Sequence, residues 1–108
     1  MVELDERNFD EVVTDAPGPV LVDFWGRGCG PCAAMERILQ EVAARRPEVR
    51  VAKLDVGAFP NVAWAFDVLS VPTVVLFEGG VPVRRVVGAV PASRLEQLLD
   101  APDDGEDG

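Results

Sequence analysis

Cys29 and Cys32 are the only cysteines in 108 residues, and Gly30-Pro31 is all that separates them. A thiolate is the nucleophile of thiol–disulfide exchange, and a second thiol close by can resolve the mixed disulfide that the first one forms. The chemistry therefore depends on where the pair sits. Upstream runs an apolar stretch, Val20-Leu21-Val22-Asp23-Phe24-Trp25, followed by a short turn, Gly26-Arg27-Gly28. The stretch is rich in β-branched and aromatic residues and reads as a buried strand. Downstream, Met35, Ile38, Leu39 and Val42 recur at i, i+3, i+4 and i+7, the spacing of an amphipathic helix. Both thiols thus fall where a strand hands over to a helix N-terminus. Unpaired N–H groups and the macrodipole favour negative charge there, which promotes loss of a thiol proton. Residues three apart share a helix face, so Cys32 is placed to attack a mixed disulfide at Cys29. Pro31 falls in the first turn, where a missing N–H costs little.

Two plainer readings compete. A zinc site needs about four ligands, and the chain offers no histidine and no third cysteine. A structural bridge across two residues closes a very short loop and adds little stability. A redox-active dithiol fits best, as this spacing beside a βαβ pattern commonly does.

Asp23 is the one carboxylate in an otherwise apolar strand. A buried, unpaired charge is costly, so such a group raises its pKa or finds a partner. A raised pKa suits a proton acceptor for Cys32 during resolution. The alternative is an aspartate at a strand end, solvated or capping a turn. Lys53, the sole lysine, lies on the neighbouring predicted strand and is the expected charge partner of Asp23, unless it is an ordinary surface lysine.

Composition bounds the rest. At this length the chain is one domain, and 48% apolar content suits a globular protein. Asp23 interrupts the best apolar run, so no membrane span is expected. The acidic start, Met1-Val2-Glu3-Leu4-Asp5-Glu6, has neither the basic nor the apolar region of a secretory signal, and a cytoplasmic location is expected. Net charge is −9. Asp100, Asp103, Asp104, Glu106 and Asp107 supply five of the nineteen acidic residues. We expect a folded domain over 1–100 and an acidic, disordered tail over 101–108. The basic residues form no long cluster, which disfavours nucleic-acid binding.

In chain order, a short strand is expected over Val2 to Leu4. A helix follows with Asn8 as N-cap, Glu11 at the capping-box position and Phe9, Val12 and Val13 inward. Pro17-Gly18-Pro19 ends it. After strand 20–25 and the helix bearing the cysteines, which ends at Arg45-Arg46-Pro47, Val49 to Asp55 reads as a second core strand. Pro60 opens a helix with Val62, Phe66 and Leu69 on one side. Thr73 to Phe77 and Val81 to Val87 form a hairpin about Gly79-Gly80. Pro82, Arg84 and Arg85 mark its second strand as a guarded edge. Leu95, Leu98 and Leu99 belong to a final helix. The order β-α-β-α-β-α-β-β-α predicts an α/β fold: a mixed sheet of five strands with four flanking helices and a right-handed parallel crossover.

Val22-Asp23-Phe24-Trp25, Cys29-Gly30-Pro31-Cys32, Val71-Pro72-Thr73 and Gly88 together resemble the thioredoxin family, from about Asn8 to Leu99. The resemblance implies a thioredoxin fold and protein-disulfide reductase activity, with Cys29 attacking, Cys32 resolving and no bound cofactor. It implies disulfide-containing target proteins, a flavin-dependent reductase that restores the dithiol, and a monomer. Pro72 matches the family's cis proline, which packs against the disulfide. Val71, Pro72 and Gly88 would contact substrate, while Trp25, Gly30, Pro31 and Lys53 support the site. From the residues alone, a trans proline opening a strand is the simpler reading. Other classes remain open: a docking module with incidental cysteines, or an electron donor dedicated to one enzyme.

Two positions depart from the family pattern. Gly28 stands where a tryptophan usually precedes the first cysteine, and Arg37 where many relatives have a helix-kinking proline. An aromatic side chain buries about 150–250 Å², so its loss is expected to weaken docking on broad apolar targets more than on small or acidic ones. Trp25 is expected beside the motif. Trp64 reads as a core or half-exposed helix residue.

Overall fold

Strand β2, Val20–Trp25, is buried along nearly its whole length because it has a neighbour on each side and helices over both faces. The structure, a computed structural model, describes residues 1–101. The other strands are β1 (Val2–Glu3), β3 (Arg50–Asp55), β4 (Thr73–Glu78) and β5 (Val81–Val87), in the sheet order β1-β3-β2-β4-β5. Parallel pairing sets Val20 against Arg50 and Trp25 against Asp55, and β1 adds in parallel to β3. Antiparallel pairing sets Val20 against Phe77 and Phe24 against Thr73, and β5 closes the other edge antiparallel to β4. A parallel neighbour needs a long crossover, and α1, Gly30–Arg45, supplies it between β2 and β3. The remaining helices are a π-helical segment (Asp10–Thr14), α2 (Pro60–Ala65) and α3 (Ala92–Asp100). The expected five-stranded mixed sheet with four helical elements is the fold observed.

Alternation along β2 splits the core. Val20, Val22 and Phe24 face the π-helical segment and α2, where Phe9, Phe66 and Phe77 pack ring on ring with centroids 5.1 to 5.9 Å apart. Leu21 faces the other way, into a cluster with Met35, Leu39 and Val42 of α1 and Leu95 and Leu98 of α3. Asp23, two residues on, shares the Leu21 face and so lies on the side that α1 covers. Arg46, just past α1, ties α1 to α3 by ion pairs with Glu96 at 2.8 Å and Asp100 at 3.0 Å. Asp100 therefore belongs to the folded domain; the expected disorder of the tail falls on 102–108, outside the described residues, apart from Ala101.

The opening helix lacks the side-chain cap expected from Asn8. Asp5 Oδ1 accepts from the Arg7 and Asn8 N–H groups, and Asn8 Oδ1 accepts from the Asp5 N–H at 2.8 Å. Asp5 and Asn8 therefore close a reciprocal turn ahead of the π-helical segment, which begins at Asp10 after Phe9 and has no side-chain cap hydrogen bond among the described residues. Leu69 is also misplaced by the sequence reading. Instead of joining Val62 and Phe66 in the core it is 86% exposed. The helical path stops at Ala65, and Asp67 adopts a left-handed conformation (φ 58°) that turns the chain before Leu69.

Gly79 and Gly80 both have positive φ, the requirement of the tight turn between β4 and β5. Gly80 has a second constraint: a Cβ there would meet the Thr14 backbone at 3.1 Å. On the edge strand β5 the arginines also satisfy helix ends. Arg85 donates to the Phe66 and Asp67 carbonyls after α2, and Arg84 to the Leu98 carbonyl in α3.

Candidate active site

The turn out of β2 sets Cys29 in extended geometry (φ −100°, ψ 105°) as the residue that caps α1, with Gly30 and Pro31 opening the helix. The Cys32 N–H donates to the Cys29 carbonyl at 3.2 Å. The two sulfurs are joined, with Cα atoms 5.4 Å apart, so the site is in its oxidised form. Access is unequal. Cys29 is half-exposed between the exposed Gly28 and Gly30, whereas Cys32 is 5% exposed and faces inward. Only Cys29 can meet a large target.

Asp23 is 1% exposed, and its Oδ1 has no hydrogen-bond partner among the described residues. Burial above all pushes its carboxyl up to about 7; the nearby Glu36 carboxylate pushes the same way, and Lys53 opposes both. The Lys53 contacts differ from expectation. Lys53 stands directly opposite Asp23 in the strand register. Its ammonium, however, lies 3.3 and 3.4 Å from the two Glu36 oxygens and 3.6 Å from Glu3 Oε2. It also sits 5.6 Å from the Trp25 ring centroid. Lys53 thus acts on Asp23 across space rather than as an ion-pair partner. Glu36 was missed from the sequence, although its spacing four residues after Cys32 places it one turn along the same helix face.

Trp25 is half-buried beside the turn. The Arg27 guanidinium lies 6.0 Å from its ring centroid and pairs with Asp55 at 3.4 Å. On the opposite bank, the Val71–Pro72 peptide bond is cis, Pro72 is buried, and the Pro72 carbonyl accepts from the Gly88 N–H at 2.8 Å. Val71 packs so closely on Gly26 that a Cβ there would come within 3.3 Å of it. A groove of about 560 Å³ runs along the turn, with Gly26, Arg27, Val56, Ala58 and Val71 among its lining residues. The fold therefore brings Cys29, Cys32, Asp23, Trp25 and Lys53 to one end of β2, and Val71, Pro72 and Gly88 to the neighbouring rim. Trp64 lies elsewhere on α2 and, at 78% exposed, is neither the core nor the half-exposed residue expected.

Gly28 has φ 72°, and among the described residues no atom beyond its own chain neighbours lies within 4 Å of where its Cβ would be. A side chain has room, but its backbone would be strained by about 1–2 kcal/mol. Gly28→Trp is therefore expected to cost stability of that order. It should still lower the apparent KM for a large protein disulfide while leaving reduction of a small disulfide nearly unchanged. Equal responses from the two substrates, measured side by side, would remove Gly28 from the determinants of specificity.

A linked cysteine pair at a helix N-terminus, with one sulfur reachable and the other buried, defines a protein-disulfide oxidoreductase. The family model for thioredoxin matches residues 1–101. The chain is 43% identical over 101 residues to a thioredoxin of Mycobacterium tuberculosis (strain ATCC 25618 / H37Rv), covering 92% of this chain and 87% of that protein. It is 43% identical over 99 residues to a thioredoxin of Alicyclobacillus acidocaldarius subsp. acidocaldarius, covering 90% and 93%. It is also 46% identical over 101 residues to the bifunctional thioredoxin reductase/thioredoxin of Mycobacterium leprae (strain TN), where the match covers 92% of this chain but 22% of that larger protein. The chain belongs to the thioredoxin family.

Proposed function

We infer that this protein reduces disulfides in other proteins, and the observation that carries the reading is the unequal access of its two linked sulfurs. In the reduced protein, the Cys29 thiolate attacks one sulfur of a target disulfide. A Cys29–target bond forms, the target S–S bond breaks, and one target thiolate leaves. Cys32 gives its proton to the Asp23 carboxylate and its thiolate attacks the Cys29 sulfur. The second target thiolate leaves, and the protein ends with the Cys29–Cys32 disulfide. Two electrons have passed to the target, whose thiolates take up protons.

In this reading Asp23 is the proton acceptor, since a carboxyl that titrates near neutrality matches general-base work there. Trp25, Gly30 and Pro31 shape the turn, and Lys53 tunes the charge around Asp23. Val71, Pro72 and Gly88 offer backbone groups and apolar area to the segment flanking the target disulfide. The folded unit is the domain over 1–100. A flavin-dependent reductase returns the dithiol; the relative that joins "thioredoxin reductase" and "thioredoxin" in one chain supports that pairing. A monomer working in the reducing cytoplasm suits this chemistry.

The test is reduction of an accessible disulfide in a general protein substrate, with limited alkylation of the reduced protein at mildly acidic pH. Cys29 should be modified well before Cys32. Equal rates, or faster labelling of Cys32, would reverse their roles.

A further inference from the structure

We propose that Glu36 holds the Lys53 ammonium away from Asp23, and so acts as a positioning residue that sets the proton affinity of the buried carboxyl. Asp23 and Lys53 are directly paired across parallel strands. In a site shielded from water, opposite charges so placed should seek each other. The ammonium instead rests between both oxygens of Glu36, with the Glu3 carboxylate on its outer side, while Asp23 Oδ1 is left without a partner. Of the two anchors Glu36 is the more sheltered, its side chain 37% exposed against 76% for Glu3.

The charged surroundings of Asp23 are few among the described residues. From α1 comes Glu36, beyond Cys32 in its disulfide. From β3 comes Lys53, with Glu3 of β1 behind it, and from β4 the apolar Val74 faces Asp23 in register. Asp55, at the end of β3, is engaged by Arg27. One cation is therefore shared by two carboxylates, and the third carboxyl, the buried one, goes without.

The consequence rests on Asp23 being the proton acceptor. With Lys53 held by Glu36, the carboxyl keeps an affinity for protons near neutrality. With Lys53 released onto it, Asp23 would become a fixed anion and a weaker base.

The decisive measurement is an NMR titration of the Asp23 carboxyl in the oxidised protein and in Glu36→Ala, Lys53→Met and the double variant. Alanine is a strong helix former, so α1 should survive the first change; Glu36→Gln, which keeps an acceptor but no charge, provides a second variant with an intermediate expectation. In Glu36→Ala the Asp23 titration should move to lower pH by about half a unit or more, the scale of a nearby opposite charge. In Lys53→Met it should move to higher pH. Adding Glu36→Ala to Lys53→Met should then produce a clearly smaller change than in the wild type. No movement in Glu36→Ala, or the same movement with and without Lys53, would overturn the proposal. The pH profile for release of a mixed disulfide by Cys32 provides a separate readout. A profile that follows the Asp23 titration across the variants supports both assignments. A profile that stays fixed while Asp23 moves leaves Glu36 as the residue that holds Lys53 and refutes Asp23 as the proton acceptor.

Discussion

Turnover of a protein disulfide by Cys32→Ser is expected to fall by on the order of a thousandfold or more, while a one-to-one covalent adduct accumulates at Cys29. Residues that act as one unit lose nearly all function when either is removed. The remaining thiol keeps its place at the cap of α1 and its half-exposed sulfur, so the first exchange proceeds. Serine cannot attack the mixed disulfide, and the target stays bound. Cys29→Ser should lose turnover equally but trap nothing, because the buried Cys32 cannot reach a large target. Non-reducing electrophoresis and mass spectrometry of the trapped species decide the matter. A missing adduct in Cys32→Ser, or turnover within tenfold of wild type, would refute the assignment. Loss of both cysteines with function intact would point to a docking module.

Asp23→Asn should stabilise the protein at alkaline pH and slow resolution. The folded-state pKa of about 7 lies above the ordinary aspartate value of 3.8. Below both values the carboxyl is protonated in either state, and burial carries no charge penalty. As pH rises between them, the unfolded chain gives up its proton while the folded chain retains it, and stability falls. Above the folded pKa the penalty is complete, on the order of 4 kcal/mol at 1.36 kcal/mol per pKa unit. An asparagine amide lacks partners just as the protonated carboxyl does, so that cost is common to both proteins at low pH and cancels. Urea unfolding midpoints should therefore diverge with pH: similar for the two proteins near pH 4, and higher for Asp23→Asn by pH 8. Parallel curves across that range would refute a raised Asp23 pKa.

Much of this architecture was legible because each strong element repeats its message. The apolar run of β2, the i, i+3, i+4 face of α1 and the double-glycine turn each specify a local geometry that the tertiary structure keeps. Weaker signals went wrong where short-range chemistry had a rival. Asn8 has the side chain of an N-cap, but its Oδ1 is taken by the Asp5 N–H in the preceding turn, and the helical segment begins two residues later without a side-chain cap. Leu69 continues the periodicity of α2 only if the helix continues, and the left-handed Asp67 ends that register. Around the thiols, residue types revealed Cys29, Cys32 and Asp23, whose chemistry is unusual in a strand or at a helix start. The destination of the Lys53 ammonium was hidden. It depends on which of three carboxylates, on β1, β2 and α1, a flexible side chain meets first in space. The cis geometry at Val71–Pro72 came from family resemblance and not from the residues, since X–Pro bonds are mostly trans.

The single sheltered carboxyl of β2 also makes the molecule unusually simple to titrate with acid and base. The chain has no histidine, so no imidazole takes up protons around neutrality. The disulfide removes both thiols from the count. A potentiometric difference curve between the oxidised protein and its Asp23→Asn variant should therefore show a single extra hydrogen ion bound at acidic pH and released around pH 7. Buffers could be chosen on that basis, since a solution held near pH 7 contains two charge states of the same fold in comparable amounts.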